Sequence, residues 1–220
     1  MTLDPEYLRP TEVCNLHDPE IARWSQTLTR NLYTDKEKAV AIFNFVREKI
    51  VYRFDYPATL ASQTLIKKYG NCFNKANLQI ALLRKSGLPA GYGVSLIHRE
   101  VFQPLLPEDL FQLVSEPTVH VYAFCYLDSR WVACDAAIDA ELYIAFYQGK
   151  PDWDYSPWDG VADYRLSRAY LVEEQGIYSS IDLFLLQPPR FWTDEFLSRA
   201  NCFLEENIRR KLGRQEGEVT

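Results

Sequence analysis

Residues 68–89 constrain this chain more than any other stretch, because they combine a tight loop, a helix start and a helix end. Gly70 can adopt the backbone angles that a sharp turn needs, and Asn71 is a favourable N-cap residue. Apolar residues then recur at helical spacing and are followed by two residues that end helices: Phe73, Ala76, Ile80, Leu83, Gly87 and Pro89. The pattern places Cys72 at or near the first position of a helix that is largely apolar on one side.

The position of Cys72 has a chemical consequence. A helix N-terminus presents unpaired N–H groups and about half a positive charge, and both favour a thiolate over a thiol. Cys72 is therefore a candidate nucleophile. The alternative interpretation is a small buried residue with a packing role, and the sequence around it leaves both open.

Length and charge limit what the chain can be. A chain of 220 residues suits one domain with a full-sized core, or at most one domain plus an appendage. The net charge of −6 argues against nucleic acid as the main partner, and no apolar run is long enough to cross a bilayer. The first residues lack the basic and apolar regions of a signal peptide, so we predict a cytoplasmic location and no membrane partner.

The cysteine pattern excludes two classes of site. The five cysteines are odd in number and irregularly spaced, and no Cys-x-x-Cys occurs: Cys14, Cys72, Cys125, Cys134 and Cys202. Neither a disulfide framework nor a thiolate zinc site fits this pattern, whereas reduced cytosolic thiols do.

The aromatic content is high, with 14 Tyr, 12 Phe and 5 Trp. We interpret it as a thick aromatic core, and an aromatic-lined cleft is the alternative.

Local patterns predict helices at both ends of the chain and strands between them. A helix at 20–31 precedes a second one that opens at the capping box Thr34–Glu37. The other predicted elements are an extended piece at 51–56, helical turns at 60–68, strands at 90–98, 119–127 and 130–135, a short helix at 139–147, strands at 169–172 and 177–186, and a helix from Thr193 to about residue 211. Residues 100–117 form a long connection with a short helix at 110–114, which is either a lid or a surface insertion.

The predicted hairpin pairs a histidine with a carboxylate. A turn at residues 128–129 makes His120 and Asp135 diagonal neighbours on one side of the ribbon, ~7–8 Å apart at the backbone. Cys125 and Cys134 then point to the opposite side. Of the other histidines, His17 lies in an irregular arm and His98 ends a strand. Each of His120 and Asp135 alone fits a structural role better, but together, downstream of a helix-start cysteine, they favour function.

These residues resemble the transglutaminase-like superfamily, a papain-like group with nucleophile, base and carboxylate in the order Cys, His, Asp. The resemblance covers roughly residues 34–140. It is carried by two motifs: Gly70-x-Cys72 with Ala76, Leu78, Ala81 to Arg84 and Gly87 to Ala90, and His120 with Tyr126 to Val132 and Asp135. The chain departs from the family pattern at Phe124, Ser129 and the pair Ala136-Ala137, which leaves the three residues intact and the substrate class open.

The resemblance implies an α+β fold, a papain-like transglutaminase core with N-terminal helices and the nucleophile helix packed on an antiparallel β-sheet. We predict one domain over residues 1–220, with a core at about 20–140, a C-terminal extension at 141–212 and a frayed tail at 213–220.

The leading hypothesis is acyl transfer through a thioester on Cys72, with His120 as acid–base group and Asp135 orienting the imidazole. The oxyanion would be held by the Cys72 backbone N–H and one further donor, for which Tyr52 and Tyr56 are candidates, although packing roles are favoured for both. No metal or organic cofactor is required. The expected partner is a small-molecule, peptide or carrier-bound acyl substrate.

The acceptor is left open. Water gives a hydrolase, a lysine amine gives a cross-linker, and an internal carbanion gives a Dieckmann-type cyclase, as in a smaller branch that resembles this family. The family also includes proteases, amidases, deglycosylating amidases and inactive members, so a non-catalytic binding module that kept the fold is the alternative from another class.

Overall fold

A computed structural model of the chain describes residues 4–150, 153–165, 167–185 and 191–213. Its α-helices are α1 (Pro19–Thr29), α2 (Asp35–Lys49), α3 (Ala61–Lys67), α4 (Cys72–Lys85), α5 (Glu108–Phe111), α6 (Ala140–Phe146), α7 (Asp182–Leu185) and α8 (Asp194–Lys211). Short 3-10 helices lie at Pro5–Leu8, Arg99–Phe102 and Arg168–Tyr170. None of the helices in these ranges has the length and apolar character needed to cross a bilayer.

The strands form one small and one larger sheet: β1 (Val51–Tyr52), β2 (Tyr69–Gly70), β3 (Ala90–Ile97), β4 (Thr118–Leu127), β5 (Arg130–Ala133) and β6 (Leu171–Tyr178). Strands β1 and β2 pair in parallel just before α4. The larger sheet is antiparallel and has the order β5-β4-β3-β6. The predicted α+β fold, with helices preceding an antiparallel sheet, is confirmed.

Helix α4 lies at the centre of the molecule, and nearly all of its residues are buried. It packs against β4 on one side and against α1, α2 and α3 on the others. Its buried polar side chains donate to backbone carbonyls around it: Lys75 Nζ to Ile50, and the Arg84 guanidinium to Arg9, Ala90 and Ser179. The helix therefore anchors the N-terminal arm, β1 and β3 at once, because a buried donor without a partner is costly.

Two local predictions are confirmed in detail. The capping box at the start of α2 is formed by Thr34 Oγ1, which accepts from Glu37 N at 3.2 Å, and by Glu37 Oε2, which accepts from Thr34 N at 2.9 Å. The β4–β5 turn has φ of 47° at Asp128 and 65° at Ser129, which fits a two-residue hairpin turn, and Leu127 pairs with Arg130.

Three predicted boundaries are wrong. Strand β6 covers Leu171–Tyr178 in place of two strands at 169–172 and 177–186, and residues Asp182–Leu185 form α7. The short helix expected at 110–114 is α5, at Glu108–Phe111. Strand β5 ends at Ala133, although Cys134 N still donates to Ala123 O of β4 at 2.8 Å; on the opposite edge, Asp135 N donates to Tyr164 O at 2.9 Å. Most of the predicted tail, residues 214–220, lies outside the described residues.

A second hydrophobic cluster joins the C-terminal part of the chain to β1. Helices α6 and α8 and the 101–114 segment pack around Tyr52 and Phe54. The side chain of Asn201, on α8, binds both backbone groups of Phe54, with Phe54 N donating to Oδ1 at 2.8 Å and Nδ2 donating to Phe54 O at 2.9 Å. Helix α8 is thereby fixed against the chain that leads to the start of α4.

Candidate active site

The start of α4 is set by two asparagines that cap it reciprocally. Asn71 Oδ1 accepts from Asn74 N at 3.3 Å, and Asn74 Oδ1 accepts from Asn71 N at 3.0 Å. The Asn71 amide also donates to Asp55 O at 2.7 Å, which ties the cap to the preceding loop. Cys72 is consequently the first helical residue, with 6% of its surface exposed. Its backbone N–H has no intrahelical acceptor at this position and points out of the helix end.

Gly70 sits directly against this cap, so replacing it should disturb the helix start. A Cβ at position 70 would lie 2.6 Å from Asn74 Cβ, a contact that cannot be relieved by turning the end of a side chain. We expect Gly70→Ala to lower the free energy of unfolding by about 1–3 kcal/mol, because overpacking forces the backbone to shift. Urea unfolding measures this loss; an unchanged midpoint at an unchanged denaturant slope would contradict it.

His120 and Asp135 form a buried hydrogen-bonded pair. His120 Nε2 lies 2.7 Å from Asp135 Oδ2, and the two residues are 4% and 6% exposed. Asp135 Oδ1 accepts from Ala137 N at 3.0 Å, and the imidazole stacks on the Tyr122 ring with the centroids 5.5 Å apart. The Ala137 backbone N–H thus orients the Asp135 carboxylate, and the carboxylate in turn orients the His120 ring.

The Cys72 and His120 side chains line one small hollow. Since Nε2 contacts Asp135, Nδ1 is the ring nitrogen that remains for the thiol. Burial by itself lowers the pKa of His120, but the charge and hydrogen bond of Asp135, and after them Cys72, outweigh burial and raise the pKa above its ordinary value. The buried carboxylate thus favours the imidazolium form of His120 beside Cys72.

A buried lysine follows Cys72 by one helical turn. Lys75 is fully buried, and burial lowers its pKa to about 8, against the opposing influence of Asp139 and Asp135. Asp139 also accepts from Tyr52 N at 2.5 Å and caps α6 through Leu142 N. These contacts hold β1, and with it Tyr52, against the base of the site.

The structure separates the two tyrosines considered as oxyanion donors. Tyr52 is buried and borders Cys72 in two hollows, and burial raises the pKa of its hydroxyl well above the ordinary value, so it stays protonated. Tyr56 is 41% exposed, and its hydroxyl donates to Asp194 Oδ1 at 2.8 Å. The Tyr56 hydroxyl is thus engaged on α8, and Tyr56 does not line the hollows that contain Cys72; its assignment as a donor stays a prediction.

The remaining described cysteines lie elsewhere. Cys14, Cys125 and Cys134 belong to the core around α4, and burial raises the pKa of each thiol. Cys125 and Cys134 thus lie away from the site, as the register predicted. Cys202 is exposed on α8, and its hydrogen bond to Glu206 raises its pKa.

Two larger hollows adjoin the site, one lined by Cys72 and the other by His120. A cleft of about 210 Å³ begins at Cys72 and is walled mainly by aromatic side chains: Phe54, Phe73, Phe102, Trp192 and Phe196. A polar hollow of about 200 Å³ lies beside His120 and Asp135 and contains Arg165, Arg168 and Glu174. The sequence did not single out these wall residues; their signal was the aromatic content, which serves both a core and a cleft.

One group of side chains in the described ranges has the composition of a metal site. The ligand atoms of His98, Glu100 and Glu116 lie within 4.8 Å of one another. All three residues are exposed, and His98 Nδ1 already bonds Glu116 Oε1 at 2.7 Å. None of them lines the hollows that contain Cys72.

Comparison with known families decides the classification. The model of the transglutaminase-like superfamily matches residues 22–136, just over half of the chain. The chain belongs to the transglutaminase-like superfamily. The match ends one residue beyond Asp135, so this superfamily segment contains the whole Cys72, His120 and Asp135 arrangement.

Three solved structures show likeness to this superfamily member. A proposed cysteine protease from Cytophaga hutchinsonii has a TM-score of 0.49 and 21% identity, over 61% of this chain and 43% of its own. A proposed protease from Parabacteroides distasonis has a TM-score of 0.40 and 13% identity, over 58% and 26% of the two chains. A TGase has a TM-score of 0.36 and 14% identity, over 93% and 51%. The chain spans about half or less of each matched chain, and no curated protein matches it.

Proposed function

We propose that this protein is a cysteine-dependent acyl-transfer enzyme that forms a thioester on Cys72 from an amide or thioester substrate. The observation that carries the proposal is the buried His120–Asp135 pair, 2.7 Å between Nε2 and Oδ2, whose imidazole shares a hollow with a cysteine at a helix N-terminus. A packing role explains each residue alone but gives no reason for a buried imidazole–carboxylate pair beside a cysteine at a helix start.

Each residue has a defined role in the proposed reaction. The Cys72 thiolate attacks the substrate carbonyl, and a carbon–sulfur bond forms as the carbonyl π electrons move to oxygen. When the tetrahedral intermediate collapses, the bond to the leaving amine or thiol breaks, and the leaving group takes its proton from the His120 imidazolium. Asp135 keeps the ring oriented and stabilises its charge throughout.

The second half of the reaction regenerates the enzyme. For water as acceptor, His120 removes a proton as the oxygen attacks the thioester, and the Cys72 thiolate leaves. The Cys72 backbone N–H is the first proposed donor to the oxyanion, and the protonated Tyr52 hydroxyl is the second. A lysine amine or an internal carbanion enters at the same step and gives cross-linking or ring closure. A reducing compartment such as the cytoplasm keeps the Cys72 thiol active.

Labelling by iodoacetamide tests this proposal without knowledge of the substrate. At pH 7 we expect Cys72 to react roughly tenfold or more faster than the other cysteines, because an unassisted thiol is only a few per cent thiolate there. The His120→Ala variant should lose that advantage. Peptide mass spectrometry over a time course measures the rate at each cysteine.

The exposed thiol on α8 provides the internal control. Cys202 has access to the reagent but a raised pKa, so its slow labelling should be the same in wild type and in His120→Ala. Equal rates at Cys72 and Cys202 in the wild type would favour a non-catalytic binding module instead.

A further inference from the structure

The cleft that begins at Cys72 is large enough to hold an acyl group. Its volume is about 210 Å³, whereas an apolar protein cavity of ~150 Å³ already admits benzene. The hollow shared by Cys72 and His120 has only about 20 Å³, room for roughly one water molecule. Among the described residues, the larger cleft is thus the space beside the nucleophile that can accept a chain or a ring.

The chemistry of the walls is uniform. None of the described residues that line the cleft is charged, and eight of them carry aromatic rings: Tyr52, Phe54, Phe73, Phe102, Phe184, Phe191, Trp192 and Phe196. Several of these rings contact one another edge-on or tilted, with Phe54 to Phe196 centroids 6.1 Å apart and Trp192 to Phe196 centroids 5.6 Å apart. The rings support one another, so the wall is preformed.

The charged side chains near the site are on the other side of the imidazole. Arg165 and Glu174 form an ion pair in the polar hollow, Tyr122 donates to Glu174 at 2.8 Å, and Arg165 also bonds Asp163. A carboxylate or ammonium in the aromatic cleft would lose its hydration without gaining a partner among the described wall residues, and such burial is costly. An apolar group in the same place gains from leaving water.

We infer, on the basis of the proposed function, that the acyl group transferred to Cys72 is uncharged and apolar, either a chain of about six carbons or a group with an aromatic ring. The aromatic cleft binds this group and thereby places its carbonyl against Cys72. The polar hollow beside His120 faces away from the acyl chain.

Acylation rates test the inference directly. The probes are N-acetylcysteamine thioesters of acetate, butyrate, hexanoate, phenylacetate and succinate, and intact-protein mass spectrometry follows acylation of Cys72. We expect kcat/KM to rise about fourfold for each added methylene, and therefore roughly 200-fold over the four methylenes from acetyl to hexanoyl. Phenylacetyl should resemble hexanoyl. Succinyl should react no faster than acetyl, because its terminal carboxylate would have to enter the aromatic cleft.

A matched pair of variants locates the effect in the cleft. Ser115 lines the cleft and is exposed, so Ser115→Trp narrows it with little risk to folding and should lower the hexanoyl-to-acetyl ratio about tenfold. Leu113 lies on the same segment, is 50% exposed and does not line the cleft. Leu113→Trp should leave the ratio unchanged. A flat chain-length profile, a succinyl rate equal to the hexanoyl rate, or equal ratios in the two variants would overturn the inference.

Binding measurements separate this inference from the proposed function. In Cys72→Ser, titration calorimetry with hexanamide should show binding with a negative heat-capacity change, and succinamate should bind at least about tenfold more weakly. If Cys72 is acylated without chain preference, the acyl-transfer proposal stands and the inference fails. If hexanamide binds selectively but no thioester acylates Cys72, the proposed function fails, and the cleft is the ligand site of a binding module instead.

Discussion

The Cys72→Ala variant is expected to lose on the order of 10⁴-fold or more of the kcat/KM for the hexanoyl thioester of N-acetylcysteamine, because the covalent route disappears with the sulfur. The His120–Asp135 pair and the aromatic cleft remain, so the residual rate reports what binding and the oxyanion donors contribute. Release of the free thiol, followed by absorbance against an enzyme-free blank, measures the rate.

A second cysteine variant controls for general thiol reactivity. Cys202 is the exposed thiol among the described cysteines and lies on α8, outside the site. Cys202→Ala should keep the wild-type rate. If Cys72→Ala retained more than a few per cent of wild-type activity while its unfolding midpoint was unchanged, nucleophilic catalysis by Cys72 would be excluded.

The Asp135→Asn variant is expected to lower kcat on the order of 10²- to 10⁴-fold while leaving the fold in place. The amide preserves the shape and one hydrogen bond at His120 Nε2, but it removes the negative charge. That charge is the largest of the influences that raise the pKa of His120, so without it the imidazolium form of His120 is no longer favoured. The loss therefore falls on the chemical step and hardly on KM.

The pH profile gives this variant a signature that a merely destabilised protein lacks. In the wild type the raised pKa of His120 keeps the imidazolium present above neutral pH, and activity falls on the alkaline side as this proton is lost. Without the carboxylate the pKa of His120 falls, so the alkaline limb should move to lower pH. A profile that keeps its wild-type shape at reduced height would contradict the role of Asp135.

The raised pKa of His120 also predicts how the stability of the fold depends on pH. A histidine whose pKa is higher in the folded state binds its proton more tightly there, so its contribution is complete below about pH 6.5, the unfolded value. The contribution is lost as pH rises through the folded pKa of His120. The difference in unfolding free energy between wild type and Asp135→Asn should therefore shrink as the pH is raised above neutrality.

The features that sequence reasoning located well depend on local rules. Asn71 and Gly70 fixed where α4 begins, and that start placed Cys72 at the helix end. The alternation along β4, together with the turn at Asp128, put His120 and Asp135 on one side, and their side chains do meet. Their contact does not need the strand pairing to continue to Asp135, since Tyr164 O and Ala137 N hold that residue instead.

The features that sequence reasoning did not predict depend on tertiary contacts. Strand β6 is largely exposed and carries Glu173, Glu174 and Gln175, so it has no apolar alternation; its pairing with β3 makes it a strand, with an irregularity near Gly176. The Tyr56 hydroxyl donates to Asp194, 138 residues away in the sequence, and no local pattern predicts that hydrogen bond. No local pattern could distinguish an aromatic side chain in a core from one in a cleft wall, since both environments favour the same residues.

The two hydrogen bonds between the Asn201 side chain and the Phe54 backbone, which fix helix α8 beside the site, have an evolutionary consequence. Helix α8 supplies Phe196 to the aromatic cleft, and Trp192 precedes that helix; both lie well beyond residue 136, where the superfamily match ends. The reacting groups and four of the eight aromatic wall residues thus lie within the superfamily match, whereas the other four wall residues, Phe184, Phe191, Trp192 and Phe196, lie beyond it. Homologues that keep residues 22–136 but differ in the chain beyond residue 136 should catalyse the same reaction on different acyl substrates.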